Sequence, residues 1–219
     1  MPRLRWRPGL YALTDTEKFS TEELIQACEE VLQGGAVILQ YRDKSNDAER
    51  RLDEAKQLRA LTIKHQATFI INDDVQLCKA VDADGVHLGQ NDLDIQKARG
   101  IVGLAKIIGV SCYNDYSLAQ NALQQGANYV AFGAFFSSPT KPNAVVADLD
   151  LLHRGQTLGI PIVAIGGITL ENADSLLDAG AHNLAVISNL WESPSPKQQA
   201  QSYAKLMQNI ELPNFEQGY

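Results

Sequence analysis

The chain has 219 residues, a net charge of −7 and a hydrophobic share of 45%, which suits one large or two small globular domains with a sizeable core. The charge is spread along the chain, which argues against a nucleic-acid surface. The apolar run Leu10–Leu13 behind Arg3, Arg5 and Arg7 is far too short for a leader core or a membrane span. A cytoplasmic protein is expected, with no nucleic acid or membrane as partner and a homo-oligomer left open. Cys28, Cys78 and Cys112 are odd in number and far apart, so free thiols packed in the core are expected.

Taken in order, Gly9–Asp15 reads as a first strand, and Thr21 opens a helix that runs to the glycine pair Gly34-Gly35. Ala36–Arg42 is a second strand. A long charged helix follows from about Asp47 to His65, with Leu52, Ala55, Leu58 and Leu61 as its apolar stripe. Phe69–Ile71 and Val86–Leu88 are short apolar runs that end abruptly in polar residues, as buried parallel strands do. Between them, Val75–Val81 leaves room for a short crossover helix. A helix over Ile95–Val102 precedes strand five, Ile107–Ser111, and another over Ser117–Gln125 precedes strand six, Tyr129–Gly133. A longer loop, Ala134–Asp148, is expected to move when empty. The helix Leu149–Leu158, strand seven at Ile162–Ile165, the helix Leu170–Ala179, strand eight at Asn183–Ile187 and a last helix over Pro196–Asn209 complete the chain, with a frayed tail after about residue 212.

Eight alternating strand–helix units imply a parallel sheet closed into a (β/α)8 TIM barrel, an α/β fold with one domain over 1–219 and a short N-terminal extension. The runner-up is an open doubly wound sheet, but it usually carries a G-x-G-x-x-G turn after strand one, and none is there.

In such a barrel the site sits at the C-terminal rim of the strands. There the sequence places Gln40, Arg42 and Lys44 from strand two, Asn72 and Asp73 from strand three, Asp92 after strand four, Ser111 from strand five, and Ser138, Thr140 and Lys141 after strand six. Asp73 and Asp92 suit a hard cation such as Mg²⁺ that takes its other ligands from phosphate, with Arg42, Lys44 and Lys141 taking the remaining charge. The bland reading of each aspartate is a helix cap, and of the cations a set of surface ion pairs. Gly166-Gly167 after strand seven and Ile187-Ser188 after strand eight suit a second phosphate held by backbone N–H groups. His87, alone in an apolar strand, reads as a hydrogen-bonded packing residue. The residues therefore suggest chemistry at a diphosphate beside a second phosphorylated reactant.

Several segments together resemble the thiamine-phosphate synthase family. They are Gln40–Lys44, Ile71–Asp73, Gly85–Asp92, Gly109–Ser111, Pro139–Lys141 and Val163–Ile168, in family order, within a likeness from about Gly9 to Met207. The resemblance implies a (β/α)8 barrel that joins 4-amino-2-methyl-5-hydroxymethylpyrimidine diphosphate to 4-methyl-5-(2-phosphoethyl)thiazole, giving thiamine phosphate and pyrophosphate by dissociative departure of pyrophosphate. It implies Mg²⁺ on Asp73 and Asp92, and the diphosphate on Arg42, Lys44, Asn72, Ser111 and Lys141, of which Arg42, Lys44, Ser111 and Lys141 act in catalysis. Gln40 would place the pyrimidine. Ser138, Thr140 and the backbone of Gly167, Ile187 and Ser188 would hold the thiazole phosphate. Ala134, Ser138 and Asn91 depart from the usual family residues without removing a proposed ligand.

Overall fold

The computed structural model of the chain describes residues 6–137 and 146–212. Eight parallel strands close in sequence order into a barrel: β1 Gly9–Leu13, β2 Ile38–Tyr41, β3 Thr68–Asn72, β4 Gly85–Leu88, β5 Ile107–Tyr113, β6 Tyr129–Phe132, β7 Ile162–Ile165 and β8 Asn183–Val186. The helices that return the chain are α1 Thr21–Gln33, α2 Ala48–Lys64, α3 Val75–Ala80, α4 Ile95–Val102, α5 Tyr116–Gln124, α6 Asp150–Gly155 and α7 Ala173–Asp178. After β8 come a four-residue helix, α8 Ser188–Trp191, and the closing α9 Pro196–Leu206. The (β/α)8 expectation holds, and most expected boundaries fall within a few residues of the observed ones. The strand expected to reach Asp15 ends at Leu13, and the helix expected from Leu170 starts at Ala173. The last turn of the expected helix to Leu158 is a 3₁₀ turn over Gln156–Leu158.

Alternation along each strand separates two cores. One column faces the helices and carries Leu10, Leu39, Phe69, Ile71, Val86, Ile108, Val130 and Leu184. The other fills the barrel with Tyr11, Leu13, Ile38, Ile70, Ile107, Tyr129, Ala131, Val163 and Ala185. The barrel is thus packed through its middle, and two features make that possible. Gly109 has no side chain, and a Cβ there would lie 1.9 Å from the Tyr129 ring. Trp6 comes from the N-terminal extension and closes the lower end. Its ring centroid is 4.4 Å from that of Tyr129, and its indole N–H donates to Asn183 Oδ1 at 2.7 Å. Trp6 is therefore a plug, which the sequence did not announce.

The outer layer holds one surprise. Glu54 of α2 is fully buried, although the apolar stripe had been placed on Leu52, Ala55, Leu58 and Leu61. It accepts from Tyr41 Oη and Thr21 Oγ1, both at 2.7 Å, and Arg50 reaches it at 3.5 Å. Partners on three elements satisfy the carboxylate in place of water. Arg50 also holds the buried Asp43 at 2.7 Å, so this cluster pins the loop that follows β2. Cys28, Cys78 and Cys112 are free and buried, as expected. Burial raises all three thiols, with Cys78 and Cys112 pushed up to about 12, so they stay protonated and inert. Among the described residues no helix is long and apolar enough to cross a membrane.

The need for glycine at 109 is testable against Gly100, where a Cβ meets nothing within 4 Å on a helix. Gly109→Ala should cost about 1–3 kcal/mol through overpacking, while Gly100→Ala should gain about 0.5–1 kcal/mol. Equal urea midpoints for the two variants would refute the packing argument.

Candidate active site

Strand register sets the rim. Gln40 pairs with Ile70, so Arg42 stands level with Asn72. Asn72 pairs with His87, and His87 with Gly109, which puts Ser111 level with Gly89. On the other side Ile165 pairs with Ala185, so Gly167 and Ile187 are neighbours. The rim therefore has two lobes, one built by β2–β5 and one by β7–β8.

The first lobe decides between capping and ligand binding for the aspartates. The cap of α3 is Asp74, which accepts from the N–H groups of Gln76 and Leu77. The cap of α4 is Asp94, which accepts from Gln96 and Lys97. Asp73 and Asp92 are left over. Asp73 sits in the left-handed region with φ +62°, a conformation that aspartate tolerates better than most residues and that occurs often at functional sites. Lys44 Nζ holds its carboxylate directly. Asp92 accepts from the Gly89 N–H at 2.7 Å. Its pKa is raised, first by loss of solvent and then by the Asp73 carboxylate facing it. Two carboxylates drawn together, with a lysine ammonium on one of them, form a donor set that suits a divalent cation. Among the described residues no group of three or more His, Cys, Asp or Glu gathers as a metal site, so the pair would need a ligand's oxygens to complete a coordination shell.

Arg42 is exposed, and among the described residues it has no ion-pair partner. Its backbone is fixed by Thr14, whose Oγ1 accepts from the Arg42 N–H at 2.8 Å and donates to the Arg42 carbonyl at 3.1 Å. Among the described residues the Arg42 guanidinium makes no hydrogen bond or ion pair. Gln90 Nε2 donates to the Ser111 carbonyl at 2.7 Å, tying the loop after β4 to β5, and a bulge follows between Ser111 and Tyr113. Ser111 Oγ is 2.8 Å from His87 Nε2. Gln40, only 3% exposed, lies beneath the rim and donates through Nε2 to Tyr11 Oη at 2.7 Å. His87 is buried and hydrogen-bonded, and it reaches Tyr129 as well as Ser111.

In the second lobe the two glycines are required. A Cβ on Gly166 would lie 2.4 Å from Ala134 Cβ, and one on Gly167 would lie 2.6 Å from the Ser137 carbonyl. Both glycines have positive φ. Sequence reading missed α8, which starts at Ser188, directly after strand eight, where no element was assigned. Four residues carry too little periodicity to announce a helix. Support from behind fixes its place. Trp191 Nε1 donates to the Leu13 carbonyl at 2.7 Å, and Tyr203 Oη of α9 donates to Asn189 Oδ1 at 2.7 Å. A short extra helix whose N-terminus adjoins the ends of strands seven and eight is the usual barrel phosphate site. Ser138, Thr140 and Lys141, and with them the middle of the Ala134–Asp148 loop, lie outside the described residues.

The fold is a closed (β/α)8 barrel with a polar, charged rim at the C-terminal ends of its strands. Residues 10–190 match the family of thiamine monophosphate synthase. A thiamine-phosphate synthase of Methylobacillus flagellatus is 50% identical over 198 residues, covering 90% of this chain and 94% of its own. One of Thioalkalivibrio sulfidiphilus is 47% identical over 201 residues, covering 91% and 95%. The solved structure of a thiamine phosphate pyrophosphorylase from Pyrococcus furiosus superposes with a TM-score of 0.84 at 33% identity, covering 92% of this chain and 96% of its own. The chain belongs to the thiamine monophosphate synthase family.

The Asp73–Asp92 repulsion has a measurable consequence. A carboxyl with a raised native pKa favours the folded state while protonated and costs stability as pH rises through that pKa. Without added metal, Asp92→Asn should therefore melt above the parent protein at about pH 7, and the gap should shrink as pH falls into the ordinary carboxylate range near ~4. Thermal melts across pH test this, and a variant that melts below the parent at neutral pH would contradict it.

Proposed function

We propose that the chain is a thiamine-phosphate synthase, joining 4-amino-2-methyl-5-hydroxymethylpyrimidine diphosphate to 4-methyl-5-(2-phosphoethyl)thiazole and releasing thiamine phosphate and pyrophosphate. The observation that carries the reading is the pair Asp73 and Asp92, left out of the adjacent helix caps and sharing one lobe of the rim with Arg42, Lys44, Asn72 and Ser111. Family membership supports it.

Asp73 and Asp92 would hold Mg²⁺, which when bound supplies positive charge to the diphosphate oxygens. Lys44, now on Asp73, then becomes available to the diphosphate. Arg42 would bind its oxygens with a planar fork of donors, and Asn72 and Ser111 would add neutral donors. Gln40 would meet the pyrimidine ring. Gly167, Ile187 and Ser188 would offer backbone N–H groups to the thiazole phosphate. Ser138, Thr140 and Lys141 take their roles here from the family likeness alone.

The bond between the pyrimidine methylene carbon and the diphosphate oxygen breaks, and its electron pair leaves with the diphosphate. The thiazole nitrogen then gives its lone pair to the carbon, forming the new C–N bond. No proton has to be removed from the nucleophile, so the burden falls on stabilising the leaving group and aligning the reactants. That accounts for a rim of cations and donors in which the one strand histidine is turned inward.

With purified protein, Mg²⁺ and both substrates, thiamine phosphate and pyrophosphate should appear in equal amounts. Lys44→Ala should lower kcat about 10²–10³-fold, as for loss of a leaving-group donor, and removal of the metal by chelation should stop turnover. Pyrophosphate release without coupling, or no turnover in the parent protein, would overturn the assignment.

A further inference from the structure

Five side chains form an unbroken line through the barrel. Gln40 Nε2 donates to Tyr11 Oη at 2.7 Å, the hydroxyls of Tyr11 and Tyr129 are 2.8 Å apart, Tyr129 Oη is 2.8 Å from His87 Nδ1, and His87 Nε2 is 2.8 Å from Ser111 Oγ. Gln40, Tyr11, Tyr129 and His87 are buried. The line begins and ends on two residues assigned above to the pyrimidine diphosphate, one at the ring and one at the phosphates. Its three middle members belong to no substrate contact proposed above.

Proton counting limits how such a line can run. Each hydroxyl carries one proton, and so does a neutral imidazole. Burial disfavours a charged ring at His87, and each of its nitrogens lies 2.8 Å from a hydroxyl, so one donates and the other accepts. With Gln40 donating to Tyr11, the Tyr11 proton goes to Tyr129 and the Tyr129 proton to His87 Nδ1. The imidazole proton must then sit on Nε2 and donate to Ser111 Oγ. The Ser111 hydroxyl proton is left for a ligand, and so is Gln40 Oε1, which accepts nothing from the described residues. The only other fully bonded arrangement reverses every link, turns the Gln40 amide and spends the Ser111 proton on His87. Mixed arrangements leave a buried hydroxyl proton without an acceptor, put two protons into one link, or leave a link with no proton between its two acceptors, and all three are costly in an interior.

We propose that Tyr11, Tyr129 and His87 are positioning residues that lock the two ends of the site into one donor–acceptor sense. Gln40 Oε1 then accepts from the amine on the pyrimidine while the Ser111 hydroxyl donates to the diphosphate. This rests on the reading of the site given above. A phosphate oxygen can only accept, so its arrival at Ser111 selects the sense in which Gln40 presents an acceptor. A ring bearing an amine is then matched, and one bearing a carbonyl at that position is not.

The tautomer of His87 reports the sense directly. Full-length protein labelled with ¹⁵N-histidine has four histidines, and the signal of His87 is assigned by its loss in His87→Gln. With Mg²⁺ and pyrophosphate bound, the parent protein should show neutral imidazole protonated at Nε2. Tyr129→Phe should convert this to a mixture of tautomers and raise KM for the pyrimidine diphosphate about tenfold, the scale of one hydrogen bond, with KM for the thiazole phosphate unchanged. If Tyr129→Phe does not fold, Tyr11→Phe breaks the neighbouring link and should give the same split. Imidazole protonated at Nδ1 in the pyrophosphate complex, or an equal rise of both KM values, overturns the relay while turnover and pyrophosphate binding stand. Failure of the parent protein to bind pyrophosphate or to turn over overturns the site reading, and the relay with it.

Discussion

The contact between the Tyr11 and Tyr129 hydroxyls, 2.8 Å apart in the middle of the barrel, sets the terms for everything around it. Eight short strands enclose a space that must be filled. Here two tyrosines take much of it, with Trp6 stacked from below. Aliphatic side chains would have filled it without obligations. Tyrosines bring hydroxyls that must be partnered where water does not reach, and the available partners run upward, through Gln40 on one side and His87 and Ser111 on the other. Filling the core therefore also fixes two residues of the rim. The cost appears at Gly109, where β5 gives up a side chain so that the Tyr129 ring can cross.

Above that floor the rim is an arrangement of charge. The neighbouring aspartates divide the work: Asp74 and Asp94 satisfy helix N-termini, which frees Asp73 and Asp92 to face each other. That juxtaposition is unfavourable by itself, as the raised Asp92 pKa records, and Lys44 partly offsets it. On the function proposed above, a cation on the pair and an anion beside it would relieve that strain together, and electrostatics would couple metal to diphosphate with no moving part.

The strands were legible because each is a short apolar run closed by glycine or a polar cluster, and parallel strands covered on both faces must read that way. Asp73 and Asp92 were legible as a pair only because the topology brings β3 and β4 side by side; the exclusion of a capping role needed the coordinates. Glu54 was not legible, since a glutamate four residues after Arg50 looks like an exposed helix pair, and nothing local shows that Tyr41 and Thr21 converge on it. Trp6 was hidden for the same reason, its partners lying far along the chain at Tyr129 and Asn183. The strand histidine was legible as a candidate for a buried, hydrogen-bonded side chain, but its partners come from β5 and β6, and only strand closure reveals that they continue to Gln40.

The period of two along a β-strand explains why core and site are so closely joined. Tyr11 and Leu13, Ile38 and Gln40, Ile107 and Gly109 with Ser111, and Tyr129 and Ala131 are successive members of inward columns. Moving up any column passes from packing to chemistry without a change of face. A one-residue slip of β5 would carry Gly109 off the Tyr129 ring and Ser111 off His87 together. The register that closes the barrel around its tyrosines is thus the register that aims the hydroxyl at the rim. Packing energy, which is large and non-specific, is thereby made to hold a hydrogen-bond geometry that is specific and, by itself, weak.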